Sequence, residues 1–199
     1  MYVGRIVIVG MSHGRCFVAY RVSSRSFPNR RAEARDGSIL VSPKDPSDLA
    51  RNPYIAYTCI RTLDEVAVVA NGTQTDTIME SIEDGMGPLK AIGLSLLAFG
   101  HERDELNTPR LAGAVKGDRA WLGIAMRDEI RAKELSLREG TACMVATYER
   151  TGFGPVDLGG SSPEEIALRA YGLPFERPVC SAAALFRGKG FDLAAYNPD

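Results

Sequence analysis

Alternation and β-branched enrichment run through VGRIVIV (residues 3–9) and CFVAYRV (16–22), with SHG between them. A period of two on either side of a short polar gap predicts an N-terminal hairpin. The serine- and arginine-rich stretch that follows starts at the end of the second strand and runs into a loop at Pro28-Asn29. A short strand is predicted at 38–42, and beyond it Asp45 stands where it can cap a helical turn with Pro46 at its first position. Residues 54–63 (YIAYTCIRTL) and 65–70 (EVAVVA) predict a second hairpin. It ends at Asn71-Gly72, with Thr73 or Thr75 as the cap of a helix reaching Ile82.

Leu89, Ile92, Leu96 and Phe99 recur at helical spacing, so 88–99 is predicted as a helix whose apolar stripe faces a sheet. Strands are expected at 110–116, 120–126, 129–137, 141–149 and 178–187, with a short tail after the last. Ser162, Pro163 and Glu165 form a capping-box pattern for a helix to Tyr171. Hairpins dominate and no regular βαβ alternation is present. The expectation is α+β with mainly antiparallel sheets covered by helices, as a single domain over 1–199.

Lys plus Arg (24) nearly balances Asp plus Glu (25). That balance argues against nucleic-acid binding through bulk charge and makes any basic site local. Cys16, Cys59, Cys143 and Cys180 form no CxxC pair, and His13 and His101 add little, so no metal is expected. MYVGRIVIVG is too short for a membrane span and lacks a signal-peptide layout, which predicts a soluble cytoplasmic protein.

Against that neutral background, YRVSSRSFPNRR (20–31) gathers four arginines, three serines and an asparagine. Guanidinium forks match a phosphate dianion, so Arg21, Arg25, Arg30 and Arg31 are candidates, with Ser23, Ser24 and Ser26 as hydroxyl donors. The alternative is a solvated loop. In YTCI, Tyr57 and Cys59 share one strand face, either as proton donors to a pocket or as core residues. NGTQTD places Asn71, Thr73, Thr75 and Asp76 at a strand-to-helix junction, which holds an anion or is simply a capped turn. In HERDELNTPR, one inward carboxylate of Glu102, Asp104 or Glu105 could act as acid or base. No P-loop, GxSxG, HExxH or GxGxxG is present, and position 2 is tyrosine, not a nucleophile.

GRIVIVG, YRVSSRSFPNRR, NPYIAYTCIR, VVANGTQTD and NTPR, in that order as far as Arg110, together resemble the archaeal type of IMP cyclohydrolase. The resemblance implies an N-terminal-nucleophile-hydrolase-like αββα sandwich used without the N-terminal nucleophile. It implies ring closure of 5-formamidoimidazole-4-carboxamide ribotide to IMP and water, in the last step of purine nucleotide synthesis. The partner is then a small purine ribotide, with no nucleic acid, no membrane, no metal or redox cofactor, and a homo-oligomeric assembly. Arg21, Ser23, Arg25 and Arg30 would hold the 5′-phosphate, Asn29 and Asn71 the heterocycle, and Arg110 would join the binding set. Glu102 would accept the carboxamide proton, Tyr57 would donate to the departing hydroxyl, and Cys59 would line the pocket. Tyr57 or Arg25 would stabilise the oxyanion. Two other readings stay open: amide or formamide hydrolysis at the same pocket, and a ribonucleotide- or RNA-binding module with Tyr20 and Phe27 as stacking partners.

Overall fold

Ser12 and Arg15 flank a two-residue turn in which His13 (φ 52°) and Gly14 (φ 69°) are both left-handed. That turn matches the twist of the strands it joins. The expected first hairpin is therefore formed, by β1 (Ile6–Ser12) and β2 (Arg15–Ser23). The computed structural model describes residues 1–50 and 53–198. The next elements are β3 (Arg30–Arg35), β4 (Ser38–Pro43), β5 (Tyr57–Leu63), β6 (Val66–Ala70), α1 (Gln74–Glu83) and α2 (Pro88–Phe99). They are followed by β7 (Arg110–Lys116), β8 (Arg119–Ala125), β9 (Ile130–Ser136), β10 (Ala142–Ala146), β11 (Gly154–Pro155), α3 (Pro163–Tyr171), β12 (Pro178–Phe186) and β13 (Phe191–Tyr196).

One sheet has the order β11-β10-β1-β2-β12-β13 and the other β3-β4-β5-β6-β7-β8-β9. Every strand pairing among the described residues is antiparallel. Alternation along each strand sorts the core. Val7, Val9, Val18, Tyr20, Cys59, Leu111, Leu122 and Ala182 fill the space between the sheets. Ile6, Ile8, Phe17 and Ala19 turn the other way, onto Ile166 and Ala170 of α3. Val68, Ala112 and Ala114 meet Ile78 of α1 and Ile92 and Leu96 of α2. The α+β reading with helix-covered antiparallel sheets is thus what the chain forms.

α2 has the predicted bounds, but its buried residues are Ala91, Ile92, Ser95 and Leu96; Leu89 and Phe99 of the expected stripe lie at the exposed rim. α2 comes close to β8 because position 123 has no side chain: a Cβ there would stand 2.5 Å from Ile92 Cγ2. Ser162 accepts a hydrogen bond from the Glu165 amide, and Asp45 from that of Ser47, as their capping patterns predict. Neither threonine caps α1: Thr73 makes no capping bond, and Thr75 donates its hydroxyl to the Gly72 carbonyl. Strands β3, β11 and β13 were not expected from the pattern, and β10 is shorter than the predicted 141–149. β1 starts three residues later than predicted because Gly4 is left-handed (φ 68°) and breaks the extended run.

Candidate active site

Arg5 is the only charged residue between Val3 and Gly10. The alternation that sends Val7 and Val9 between the sheets continues back to Arg5, whose amide is fixed by Thr147 Oγ1 at 3.1 Å. A charge so placed needs a partner. The partner is Glu102, whose Oε2 accepts from Arg5 Nη2 at 2.9 Å; the two side chains are 2% and 14% exposed.

The segment after α2 is shaped to deliver that carboxylate. Asp104 takes the Thr108 amide and hydroxyl on its two oxygens, and the Glu102 amide donates to the Thr108 carbonyl at 2.8 Å. Of the three carboxylates considered there, Glu102 is buried, Asp104 is tied into the loop and Glu105 is exposed. Burial raises the Glu102 pKa above its ordinary 4.5, while Arg5 and Arg110 pull it back down. Burial works to lower the Arg5 pKa, but the Glu102 charge opposes it and the net direction is upward, so the guanidinium stays charged.

Tyr57 opens β5 and Tyr20 lies in β2, so the two phenols come from opposite sheets. Their hydroxyls are 2.8 Å apart and their rings are edge-to-face. Burial raises both pKa values, most strongly for Tyr20; at Tyr57 the charges of Arg30 and Arg5 oppose the rise. A register shift between β4 and β5 lets Ile39 pair with Ile60 and Leu40 with Thr58, leaving Cys59 bulged between them. Cys59 is fully buried in the inter-sheet core, and burial raises its thiol pKa, with Cys180 nearby adding to the rise.

Arg30 is 2% exposed and donates from Nε to the Phe27 carbonyl at 3.0 Å. Arg110, which also acts on Glu102, donates to Gln74 Oε1 at 2.9 Å, with the rings of Tyr54 and Phe99 within 6 Å of its guanidinium. Asn71 gives Nδ2 to the Pro109 carbonyl and takes the Gln74 amide and the Leu111 N–H on Oδ1. Its carboxamide is occupied in bracing this corner of the strand-to-helix junction.

Arg5 Nε, Arg30 Nη1, Glu102 Oε1 and Arg110 Nε are all buried without a hydrogen-bond partner. Such groups are costly when left unpaired, and four of them around Glu102 and Tyr57 make this cluster the candidate place for a polar ligand. Arg5 and Arg110 act on the Glu102 carboxylate, and Arg30 and Arg5 on the Tyr57 hydroxyl, so positive charge outweighs negative in the cluster even though the chain carries a net −1.

Not every candidate is brought here. Arg21 follows Tyr20 on β2 and so faces the α3 side, where it donates to the carbonyls of Leu173 and Phe175, just after that helix, at 2.7 and 2.6 Å. Burial lowers its pKa to about 10. Ser23 lies on the same outward face, buried, with an unpartnered Oγ. Arg25 and Asn29 are exposed on the loop, Arg25 held 3.2 Å from Glu176 and stacked over Tyr2. Tyr2 stacks on Tyr148, whose hydroxyl meets that of Thr108 at 2.7 Å, so Arg25 belongs to a rim that reaches the Glu102 loop.

A family model described as IMP cyclohydrolase-like protein matches residues 2–190. The chain belongs to this family. It is 61% identical to an IMP cyclohydrolase of Methanothrix thermoacetophila, covering 100% of both chains. It is 47% identical to that of Methanocella arvoryzae, over 99% of this chain and 98% of the relative. For Natronomonas pharaonis the identity is 43%, with 99% of each chain covered. In this IMP cyclohydrolase-like chain, the sequence pattern did not single out Arg5, Gln74, Thr108 or Tyr148, nor Tyr20 as the partner of Tyr57, all of which the structure ties to Glu102, Tyr57 or Asn71. The available signal was a lone arginine inside an apolar strand run.

Proposed function

We propose that the chain is an IMP cyclohydrolase acting at the Arg5–Glu102–Tyr57 cluster. It would close the purine ring of 5-formamidoimidazole-4-carboxamide ribotide. Family membership over nearly the whole chain supports the activity. The observation that supports the location is the set of four buried, unpartnered polar atoms on Arg5, Arg30, Glu102 and Arg110.

The carboxamide nitrogen attacks the formyl carbon of the same molecule, and the C=O electron pair moves onto oxygen. One proton leaves the carboxamide nitrogen and one leaves the formamide nitrogen. Both end on the former formyl oxygen, whose bond to carbon breaks as water departs and the C=N bond forms. Because nucleophile and electrophile are tethered, the protein's contribution is alignment and proton transfer. Glu102, its Oε1 free, accepts the carboxamide proton, and Tyr57, kept protonated by burial, donates to the departing hydroxyl. Arg30, with Arg25 and Asn29 at the exposed rim, binds the 5′-phosphate, and Arg110 borders the heterocycle. Arg21 and Asn71 are left out of direct contact because their side chains are engaged elsewhere.

The layering of α3, two sheets, and α1 with α2 accords with an N-terminal-nucleophile-hydrolase-like αββα sandwich as a single domain. A cytoplasmic homo-oligomer completes this reading; no described helix is long and apolar enough to cross a membrane. The buried positions of Arg30 and Arg110 and the half-buried one of Arg5 favour a small anion over a nucleic acid, since the exposed Arg25, Arg31 and Arg35 are paired with glutamates. Incubation with the formylated ribotide tests the reading: IMP formation supports it, and release of formate would indicate hydrolysis at the same pocket.

A further inference from the structure

Of the two groups expected to stabilise the oxyanion, Arg25 is exposed and paired with Glu176 and Tyr57 is uncharged. The cationic donors in the buried part of the site are therefore Arg5, Arg30 and Arg110, of which Arg5 alone acts on both Glu102 and Tyr57. Arg5 meets the requirements of such a donor. It enters between the sheets from the residue before β1, gives one Nη2–H to Glu102 and keeps Nε without a partner. The Tyr57, Tyr20 and Tyr148 hydroxyls lie within its electrostatic reach, so it sits beside both proposed proton-transfer groups. Its side chain is 14% exposed where that of Glu102 is 2%.

We propose that Arg5 donates a hydrogen bond to the formyl oxygen as negative charge develops on it, an inference that rests on the ring closure proposed above. One ion pair then serves both ends of the forming bond. Glu102 takes the proton from the attacking nitrogen, and the guanidinium that holds Glu102 steadies the oxygen receiving the electron pair. A fixed, permanently charged donor in a water-poor site strengthens its interaction as the oxygen becomes anionic, so the benefit falls on the transition state. The Gly4 position supports this placement. A Cβ there would collide with Thr147 and Tyr148, so the backbone just before Arg5 fits closely against the segment after β10.

The test uses Arg5→Lys, Arg5→Ala and the unchanged protein, with two ligands: the formylated ribotide and the 5-amino ribotide, which has the carboxamide but no formyl oxygen. For Arg5→Lys, kcat is expected to fall about 100- to 1,000-fold. Affinity for the amino ribotide should stay within about threefold, since that ligand has no formyl oxygen to lose. Arg5→Ala should regain part of its kcat on addition of guanidinium ion at concentrations below those that melt the protein. An Arg5→Lys enzyme within about threefold of the original kcat would overturn the proposal. So would an equal loss of affinity for both ribotides, or a failure of either variant to bind the amino ribotide, each of which assigns Arg5 to ground-state binding or to the fold. Absence of turnover by the unchanged protein is a different result and removes the ring-closure reading itself.

Discussion

Glu102→Gln separates chemistry from packing at the centre of the site. The replacement is isosteric and can still accept the Arg5 hydrogen bond, now 2.9 Å long, but it can no longer take a proton. Loss of a positioned general base costs about 100- to 10,000-fold in rate, or roughly 3–5 kcal/mol of barrier. The effect on stability is smaller because two changes oppose each other. Burial raises the Glu102 pKa, so the folded state holds its proton more tightly than the unfolded chain does. Between the unfolded pKa and the raised folded value, stability falls as pH rises, and above that window the ionised carboxylate is a net cost. Glutamine removes that cost but leaves Arg5 buried without a counter-charge, for which about 3–5 kcal/mol is the penalty when a buried pair is broken outright. With the Arg5 hydrogen bond retained, a net loss of about 1–2 kcal/mol is expected, or about 2–8 °C in melting temperature for a chain of this size. The assay is initial-rate IMP formation across pH, beside a thermal melt of each protein. The original enzyme should lose activity as pH falls through a limb above the ordinary carboxylate range, and Glu102→Gln should lose that limb with most of its kcat. A variant within about tenfold of the original rate that keeps the same acid limb would refute Glu102 as the base.

Tyr57→Phe should lower kcat by about 100-fold or more with little change in KM. Tyr20→Phe, which removes only the hydroxyl supporting it at 2.8 Å, should cost less, and the double change should cost no more than Tyr57→Phe alone; simple additivity would show that the two phenols act independently. Arg30→Ala should mainly raise KM for the ribotide, with the effect lessened for a substrate lacking the phosphate; an equal KM increase for both substrates would move the phosphate elsewhere. Gly123→Ala forces a methyl group to 2.5 Å from Ile92 and 2.6 Å from Leu96, and is expected to lower stability by about 1–3 kcal/mol in a thermal melt. An unchanged melting temperature would show that α2 shifts freely on its sheet.

Runs such as those of β1, β2, β7 and β8 were readable because both faces of each are packed, one against the other sheet and one against helices, so each stands out as an apolar stretch of strand length. β3 was not, because RRAEAR is an edge strand: Ala32 faces the core while Arg31, Glu33 and Arg35 pair with one another outside. β11 is two residues long and depends on its partner β10, so it leaves no pattern of its own. At the site, Tyr57 and Glu102 could be picked out from residue chemistry. The burial that distinguishes Glu102 from Asp104 and Glu105 comes from the loop closed by Asp104 and Thr108, which spacing does not reveal. Arg21 was readable in principle. If Tyr20 faces the pocket, the next residue on the strand faces away. Asn71 looked like a ligand-binding amide because, besides the Gln74 amide, the carbonyl and the N–H that satisfy it come from residues 109 and 111, about forty positions later.

The most direct measurement is turnover of 5-formamidoimidazole-4-carboxamide ribotide by the purified chain, followed by absorbance with products identified by mass spectrometry. The account predicts IMP and the loss of one water, at a rate that collapses in Glu102→Gln. Release of formate with the 5-amino ribotide, or no conversion by a protein shown to be folded and to bind the ribotide, would contradict it.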